Sequence, residues 1–120
     1  MQPSILKTLI PKEQLKNIDF LKETCHQINK DLNGLTTIQV QLTEQLLEYP
    51  FENLITQMIP IIVDLDNSGS IQTFIYRVDL PETKYLDFKI RNTDSHQFIC
   101  QIIERSAQKV FLRWHFSNRL

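Results

Sequence analysis

The sequence predicts an all-α protein, a compact bundle of five or six helices that forms a single domain over residues 1–120. Apolar residues recur at steps of three and four along most of the chain, and Pro, Gly or capping residues bound the segments that show this spacing. Only two glycines occur, Gly34 and Gly69. We therefore expect chain breaks there and exclude Gly-rich phosphate-binding loops, which need several glycines for close backbone approach.

The first long helix is predicted within residues 11–34. Pro11 suits a first helical turn, and Asn33-Gly34 suits a helix end. A short helical turn is expected before it, in residues 3–10. The apolar positions that define the buried stripe of the long helix are Leu15, Ile18, Leu21, Cys25, Ile28 and Leu32.

A second helix is predicted from Thr36 to Tyr49. Thr36 and Gln39 match a capping box, and Leu35 is placed to pack on Val40 as a hydrophobic staple. Pro50 ends this helix and can begin the next one. The apolar residues on one face of the predicted helix are Leu35, Ile38, Leu42, Leu46 and Tyr49.

Two further helices are predicted over residues 51–65 and 71–78, with Pro60 kinking the first of them or opening its second half. An α+β alternative stays open. Residues 60–78 are rich in β-branched and aromatic side chains around a turn-like Asn-Ser-Gly, which also suits a β-hairpin.

Residues 81–92 suggest either a short helix or a loop that lays Leu86 and Phe88 on the core. The last helix follows Asp94, which forms a capping pattern with Gln97. We expect this helix to form the centre of the core. Its apolar face comprises Phe98, Ile99, Ile102, Ile103, Ala107, Val110, Phe111 and Trp114.

The amino-acid composition limits which classes of protein this chain can belong to. The chain is 42% apolar and 22% charged, and its net charge of −1 gives no general attraction to nucleic acid or anionic membranes. No apolar stretch approaches the roughly 18 residues of a transmembrane helix. The start of the chain lacks the pattern of a signal peptide, and two distant cysteines do not resemble a secreted disulfide framework. We therefore expect a cytoplasmic protein.

The stretch from Asp64 to Ile71 resembles the start of an EF-hand calcium loop. By that resemblance Asp64 and Asp66 would supply carboxylates, Ser68 a hydroxyl oxygen and Ser70 a backbone carbonyl, with Gly69 at the sharp turn.

The twelfth position departs from the EF-hand pattern, because Ile75 stands where the family places a bidentate Glu. The sequence thus allows at most a weak calcium-binding helix-loop-helix at residues 64–75, and it suggests no other cofactor. Asp, Asn, Ser and Gly also form ordinary turns and caps, so a simple helix connection is the main expectation.

No catalytic constellation is evident, and the protein is predicted not to be an enzyme. The serines lack a nucleophile-elbow pattern and the histidines are scattered. His96 and Cys100 are four residues apart, and Cys25 with His26 would complete four zinc ligands, but no paired Cys or His motif supports a zinc site.

A basic stripe runs along the last helix at Arg105, Lys109 and Arg113. It suits an acidic partner or phosphates, or it complements the negative end of the helix dipole. Phe116 falls off the apolar stripe, so it is a candidate for contact with a partner.

By elimination, the predicted function is that of a non-catalytic helical module that acts through protein–protein contacts or self-association, for example as a homodimer. The alternatives are the calcium-binding helix-loop-helix and a nucleic-acid-associated protein that uses the basic last helix. The expected partner is a protein or a second copy. Nucleic acid is a less favoured partner, and no membrane association is expected.

Overall fold

The computed structural model describes residues 17–90 and 94–117, and these residues form a helical bundle. No strand occurs among the described residues, which confirms the all-α prediction. The hairpin alternative over residues 60–78 is wrong, because all of this stretch is helical apart from Gly69 and Ser70. The six helices of the described part are α1 Ile18–Leu32, α2 Glu44–Glu48, α3 Pro50–Ser68, α4 Ile71–Val78, α5 Glu82–Ile90 and α6 Ser95–Phe116.

Helix α1 begins at Ile18 because Asn17 caps it. The Asn17 side chain accepts hydrogen bonds from the backbone N–H groups of Asp19 and Phe20, at 2.9 and 3.3 Å, and so satisfies two donors that lack a partner within the helix. The start predicted at Pro11 and the short turn in residues 3–10 lie outside the described residues. The predicted helix end near Gly34 is confirmed, with Gly34 at a φ of 80°.

The predicted second helix is wrong in its first half. Residues 36–42 are not helical, and α2 begins only at Glu44 after the Thr43 cap. The side-chain amide of Asn29 exchanges two 2.9 Å hydrogen bonds with the backbone of Val40, and that of Gln57 does the same for Gln41 at 2.7 and 2.9 Å. These amides satisfy the backbone groups that a helix would otherwise pair, and the β-branched residues of the segment favour extended backbone.

Replacement of Asn29 by Ala should lower the free energy of unfolding by about 1–2 kcal/mol, because two backbone groups of buried Val40 lose their partners. Urea unfolding followed by circular dichroism measures the change. Asn29→Asp should cost at least as much, because it keeps the acceptor for the Val40 N–H but sets a carboxylate oxygen against the Val40 carbonyl oxygen. A loss below about 0.5 kcal/mol for Asn29→Ala would contradict the role of the paired hydrogen bonds.

Helix α3 continues without a break through Pro60, which is exposed. The ring removes one backbone donor, and the carbonyl that loses its partner lies on the solvent side, where water can replace it. The helix ends at Gly69, whose φ of 76° is the left-handed conformation that favours glycine. The N–H groups of Gly69 and Ser70 donate to Asp66 and Leu65 carbonyls.

Helix α6 lies at the centre of the bundle and contacts α1, α3, α4 and α5. Every member of its predicted apolar face is buried except Phe111, which is half-buried. A small second cluster joins α1 to the end of α6, where the rings of Phe20 and Trp114 meet edge to face with centroids 5.4 Å apart. None of the helices in the described residues is long and apolar enough to span a membrane.

Aromatic side chains pack helix α5 against the core. It has no fully buried residue. Phe88 stacks on Phe98 of α6 with centroids 4.5 Å apart, and Tyr85 lies at 6.4 Å from the same ring. The short-helix alternative for residues 81–92 is confirmed and the loop alternative is wrong. Phe88 packs on the core, whereas Leu86 is 40% exposed.

Candidate functional site

The four candidate calcium ligands do not share a loop. Asp64, Asp66 and Ser68 belong to the last turns of α3, and Ser70 precedes the first residue of α4. The helix persists to Ser68 because Gly69 ends it with two capped carbonyls. Residues 64–75 are therefore two helices joined by two residues, which agrees with the helix connection that was the main expectation, and the twelve-residue loop of the EF-hand alternative does not form. Calcium binding itself stays a prediction, without that loop to support it.

The same side chains have protein partners. Thr36 Oγ1 donates to Asp64 Oδ2 at 2.6 Å, and Lys89 Nζ lies 2.9 Å from Asp66 Oδ1. The hydrogen bond to Asp66 raises the pKa of Lys89 above its usual value. Ser68 Oγ bonds to the Leu65 carbonyl and to the Ser70 hydroxyl. Within residues 17–90 and 94–117, no cluster of three or more His, Cys, Asp or Glu residues is placed to hold a metal ion.

The basic stripe of α6 contacts other parts of the same chain. Arg105 Nη2 lies 2.7 Å from Asp79 Oδ2, and its Nε donates to the Asp79 carbonyl at 3.2 Å. The hydrogen bond from Arg105 holds the pKa of Asp79 below its usual value. Arg113 donates to Gln27 and lies 3.8 Å from Glu23. Two of the three cations thus tie α6 to α1 and α4.

Lys109 occupies the middle of this stripe and is the most enclosed of the three cations. Its Nζ lies 3.3 Å from Asp31 Oδ2 and 2.7 Å from the Arg77 carbonyl oxygen. Asp31 is buried and also accepts a hydrogen bond from Gln27. Arg77 in turn donates to the carbonyls of Asp31 and Asn33 at the end of α1. We call this set of contacts between α1, α4 and α6 the polar seam.

Phe116, the other predicted partner-binding residue, is separate from the polar seam. It is exposed, and its ring meets that of His115 edge to face with centroids 5.5 Å apart. It is the last residue of α6. Arg113 and Phe116 line the same hollow together with Glu23, Trp114 and Ser117, so this end of the stripe shares a surface with Phe116, whereas Arg105 and Lys109 do not line it.

The two cysteines differ in environment, which predicts a difference in reactivity. Cys25 is buried in α1, and burial raises the pKa of its thiol to about 11, so at pH 8 only about 0.1% of it is the reactive thiolate. Cys100 is partly exposed, with its Sγ 3.7 Å from His96 Nδ1.

A thiol-specific reagent such as DTNB should therefore modify one thiol per chain in the native state and two in urea. The Cys100→Ser variant should show no reaction until the protein unfolds. Native reaction of both thiols at similar rates would contradict the burial of Cys25.

The outward side of α3 carries apolar residues that the core does not use. Successive residues at spacings of three and four share one side of a helix, and the exposed positions of α3 follow this rule. Ile59 and Val63, four residues apart, are 48% and 54% exposed. We define the α3 outer face by six exposed residues: Glu52, Thr56, Ile59, Pro60, Val63 and Asn67.

A braced segment of chain lies beside α3, on the flank that carries Gln57 and Asp64. Thr36 is tied to Asp64, and Gln41 is tied to Gln57, so the chain between them runs along α3. Ile38 lies in that span and is 37% exposed. Both tethers hold Ile38 beside α3 without burying it.

Sequence reasoning missed the α3 outer face, although a signal was present. The apolar residues of positions 51–65 that recur at steps of three and one form a stripe, and this stripe supplies the buried residues of α3. Ile59 and Val63 fall outside that stripe. Two large apolar residues left on the opposite side of the same helix, four positions apart, indicate a second apolar surface.

Comparisons of this chain with known protein families, characterised proteins and solved structures give no match.

Proposed function

We propose that this protein is a non-catalytic helical module that binds another protein through the α3 outer face. The observation that carries the proposal is the exposure of Ile59 and Val63 on one side of a helix whose other side is fully packed. Exposed apolar residues that lie together on a rigid element are typical of binding surfaces. Aliphatic anchors of this kind commonly insert between side chains of a partner helix.

Rigidity supports this assignment. A partner that meets a prearranged surface does not lose binding free energy to ordering it. The face is built on a helix of 19 residues, and the segment that carries Ile38 is braced at both ends by hydrogen bonds to that helix. Such a surface suits a module whose role is to hold a partner.

Other exposed apolar residues support binding less well. Tyr76 is highly exposed and borders a hollow between α4 and α5, but α5 buries none of its residues fully. Ile90 and Phe116 are also exposed, but each is the last residue of its helix. The α3 outer face instead lies within a helix of 19 residues.

Photo-crosslinking in the cells that make the protein tests this proposal. A photoreactive benzoylphenylalanine at position 63 should give discrete adducts with a protein of defined mass. The matched control places the same residue at exposed Lys22 of α1, where no such adduct is expected. Adding Ile59→Ser to the Val63 variant should remove the adducts. The same adducts from both positions, or none from position 63, would contradict the proposal.

A further inference from the structure

We infer that the occupant of the α3 outer face is a cationic amphipathic helix of a different protein, with basic residues at its ends and apolar residues at its centre. This inference rests on the proposed function and adds the chemistry of the partner. It is carried by the distribution of charge around Ile59 and Val63.

The stretch of sequence that carries this face contains no positive charge of its own. From Leu32 to Tyr76 it has five acidic residues and neither Lys nor Arg. Those in α3 lie at its two ends, with Glu52 in the first turn and Asp64 and Asp66 near the last. The apolar centre is therefore bounded by carboxylates on both sides.

These carboxylates keep a net negative charge at both ends. Asp66 is paired with Lys89 of α5. The partner of Asp64 is the neutral hydroxyl of Thr36, so its charge is not cancelled. The C-terminal end of α3 adds the negative pole of the helix dipole at the same place. A partner with cations at matching positions would complement both ends.

The spacing sets the length of the partner. Glu52 and Asp64 are twelve residues apart, which corresponds to about 18 Å along a helix at roughly 1.5 Å per residue. A partner helix of about 14 residues spans this distance. Its apolar side chains would lie over Ile59 and Val63 while its terminal Lys or Arg residues reach the carboxylates.

A symmetric pair of α3 outer faces from two copies of this chain does not fit. Two identical faces would oppose carboxylates to carboxylates, which is unfavourable. The basic stripe of α6 is engaged in the polar seam, so it is not available to a neighbouring copy. Lys22 and Lys30 are exposed on α1, but His26 rather than an apolar residue lies between them. Nucleic acids and anionic membranes share the charge of the face and would be repelled.

The test measures binding of three synthetic helical peptides to the full chain by fluorescence anisotropy. The first has an apolar centre and Lys or Arg at both ends. The second is identical except that Glu replaces each cation, and the third has the composition of the first with its apolar residues dispersed. We expect only the first peptide to bind, more weakly as salt is raised, because the screening length falls from about 30 Å at 0.01 M to about 3 Å at 1 M.

Variants of the protein locate the binding. Glu52→Lys should weaken binding of the first peptide by about tenfold at low salt and by less than about twofold at 1 M. Glu82→Lys, which changes an exposed acid on α5, is the matched control and should leave the affinity within about twofold. Ile59→Ser/Val63→Ser should abolish binding at every salt concentration.

The outcomes of these experiments distinguish a failure of this inference from a failure of the proposed function. Equal binding of the first two peptides would overturn the cationic partner while leaving an apolar docking face. No binding of the first peptide at millimolar concentration would overturn the inference, whereas discrete crosslinks from position 63 would still support the proposed function. Salt-sensitive self-association by sedimentation, lost on Ile59→Ser/Val63→Ser, would identify a second copy as the occupant and also overturn it.

Discussion

Replacement of Phe98 by Ala is expected to lower the free energy of unfolding by about 3–5 kcal/mol, the range for removal of a buried aromatic ring. Phe98 is 1% exposed and lies in the main core. The free energy of unfolding of a domain is about 5–15 kcal/mol in total, so the variant should be only marginally stable. Urea unfolding followed by circular dichroism and Trp114 fluorescence measures the loss.

The Phe98→Ala variant should also release α5. The stacked ring of Phe88 and the nearby ring of Tyr85 both rest on Phe98, and α5 buries no residue fully elsewhere. Amide hydrogen exchange in residues 82–90 should therefore accelerate more than exchange in α1 or α3. Phe98→Leu, which retains much of the volume, should lose less stability. A loss below about 1 kcal/mol, with unchanged exchange in α5, would contradict this description of the core.

Replacement of Lys109 by Ala is expected to lower the free energy of unfolding by about 2–3 kcal/mol, between the values for surface and buried ion pairs. The side chains of Lys109 and Asp31 are 20% and 10% exposed, so removal of the ammonium leaves a nearly buried carboxylate with Gln27 as its remaining side-chain donor. The Arg77 carbonyl at the end of α4 loses its bond to Lys109 as well.

A double variant separates charge from packing in this result. Asp31→Asn removes the charge that Lys109 balances, so Lys109→Ala should cost less in the Asp31→Asn background than in the native protein. Lys89→Ala removes the exposed pair with Asp66 and should shift the unfolding midpoint far less. If Lys109→Ala and Lys89→Ala had equal effects, the polar seam would have no structural role.

The contacts of the basic stripe within the chain show what helical spacing can and cannot predict. The spacing of four correctly places Arg105, Lys109 and Arg113 on one side of α6. It does not reveal which element lies opposite. Asp79 and Asp31 are 26 and 78 residues away in the chain, so only the packing of α1 and α4 against α6 shows that the stripe binds within the protein.

The extended segment at residues 36–42 illustrates a different limit. Its helical pattern and capping box are real local features, but tertiary hydrogen bonds from Asn29 and Gln57 outweigh them. A helical preference amounts to tenths of a kcal/mol per residue. Several hydrogen bonds of good geometry together contribute more free energy than the helical preference of this short segment. Their side chains come from other helices, which the local sequence pattern does not include.

The stretch around Gly69 was ambiguous for a chemical reason. Residues that cap and end helices, Asp, Asn, Ser and Gly, also supply the ligands and the turn of a calcium loop. Ile75 is buried in the core, and its apolar side chain has no oxygen to act as the bidentate ligand that the EF-hand pattern places there. The exact point at which α3 ends depends on Gly69 adopting its left-handed conformation, which the residue types alone do not fix.

The central claim is that the α3 outer face binds a basic amphipathic helix, and backbone amide NMR tests it most directly. The ¹⁵N-labelled protein is titrated with the peptide that has an apolar centre and cationic ends. We expect the largest shift changes in residues 52–66, with little change around Phe116 at the end of α6. Shift changes concentrated at Phe116, or spread evenly over the six helices, would contradict it.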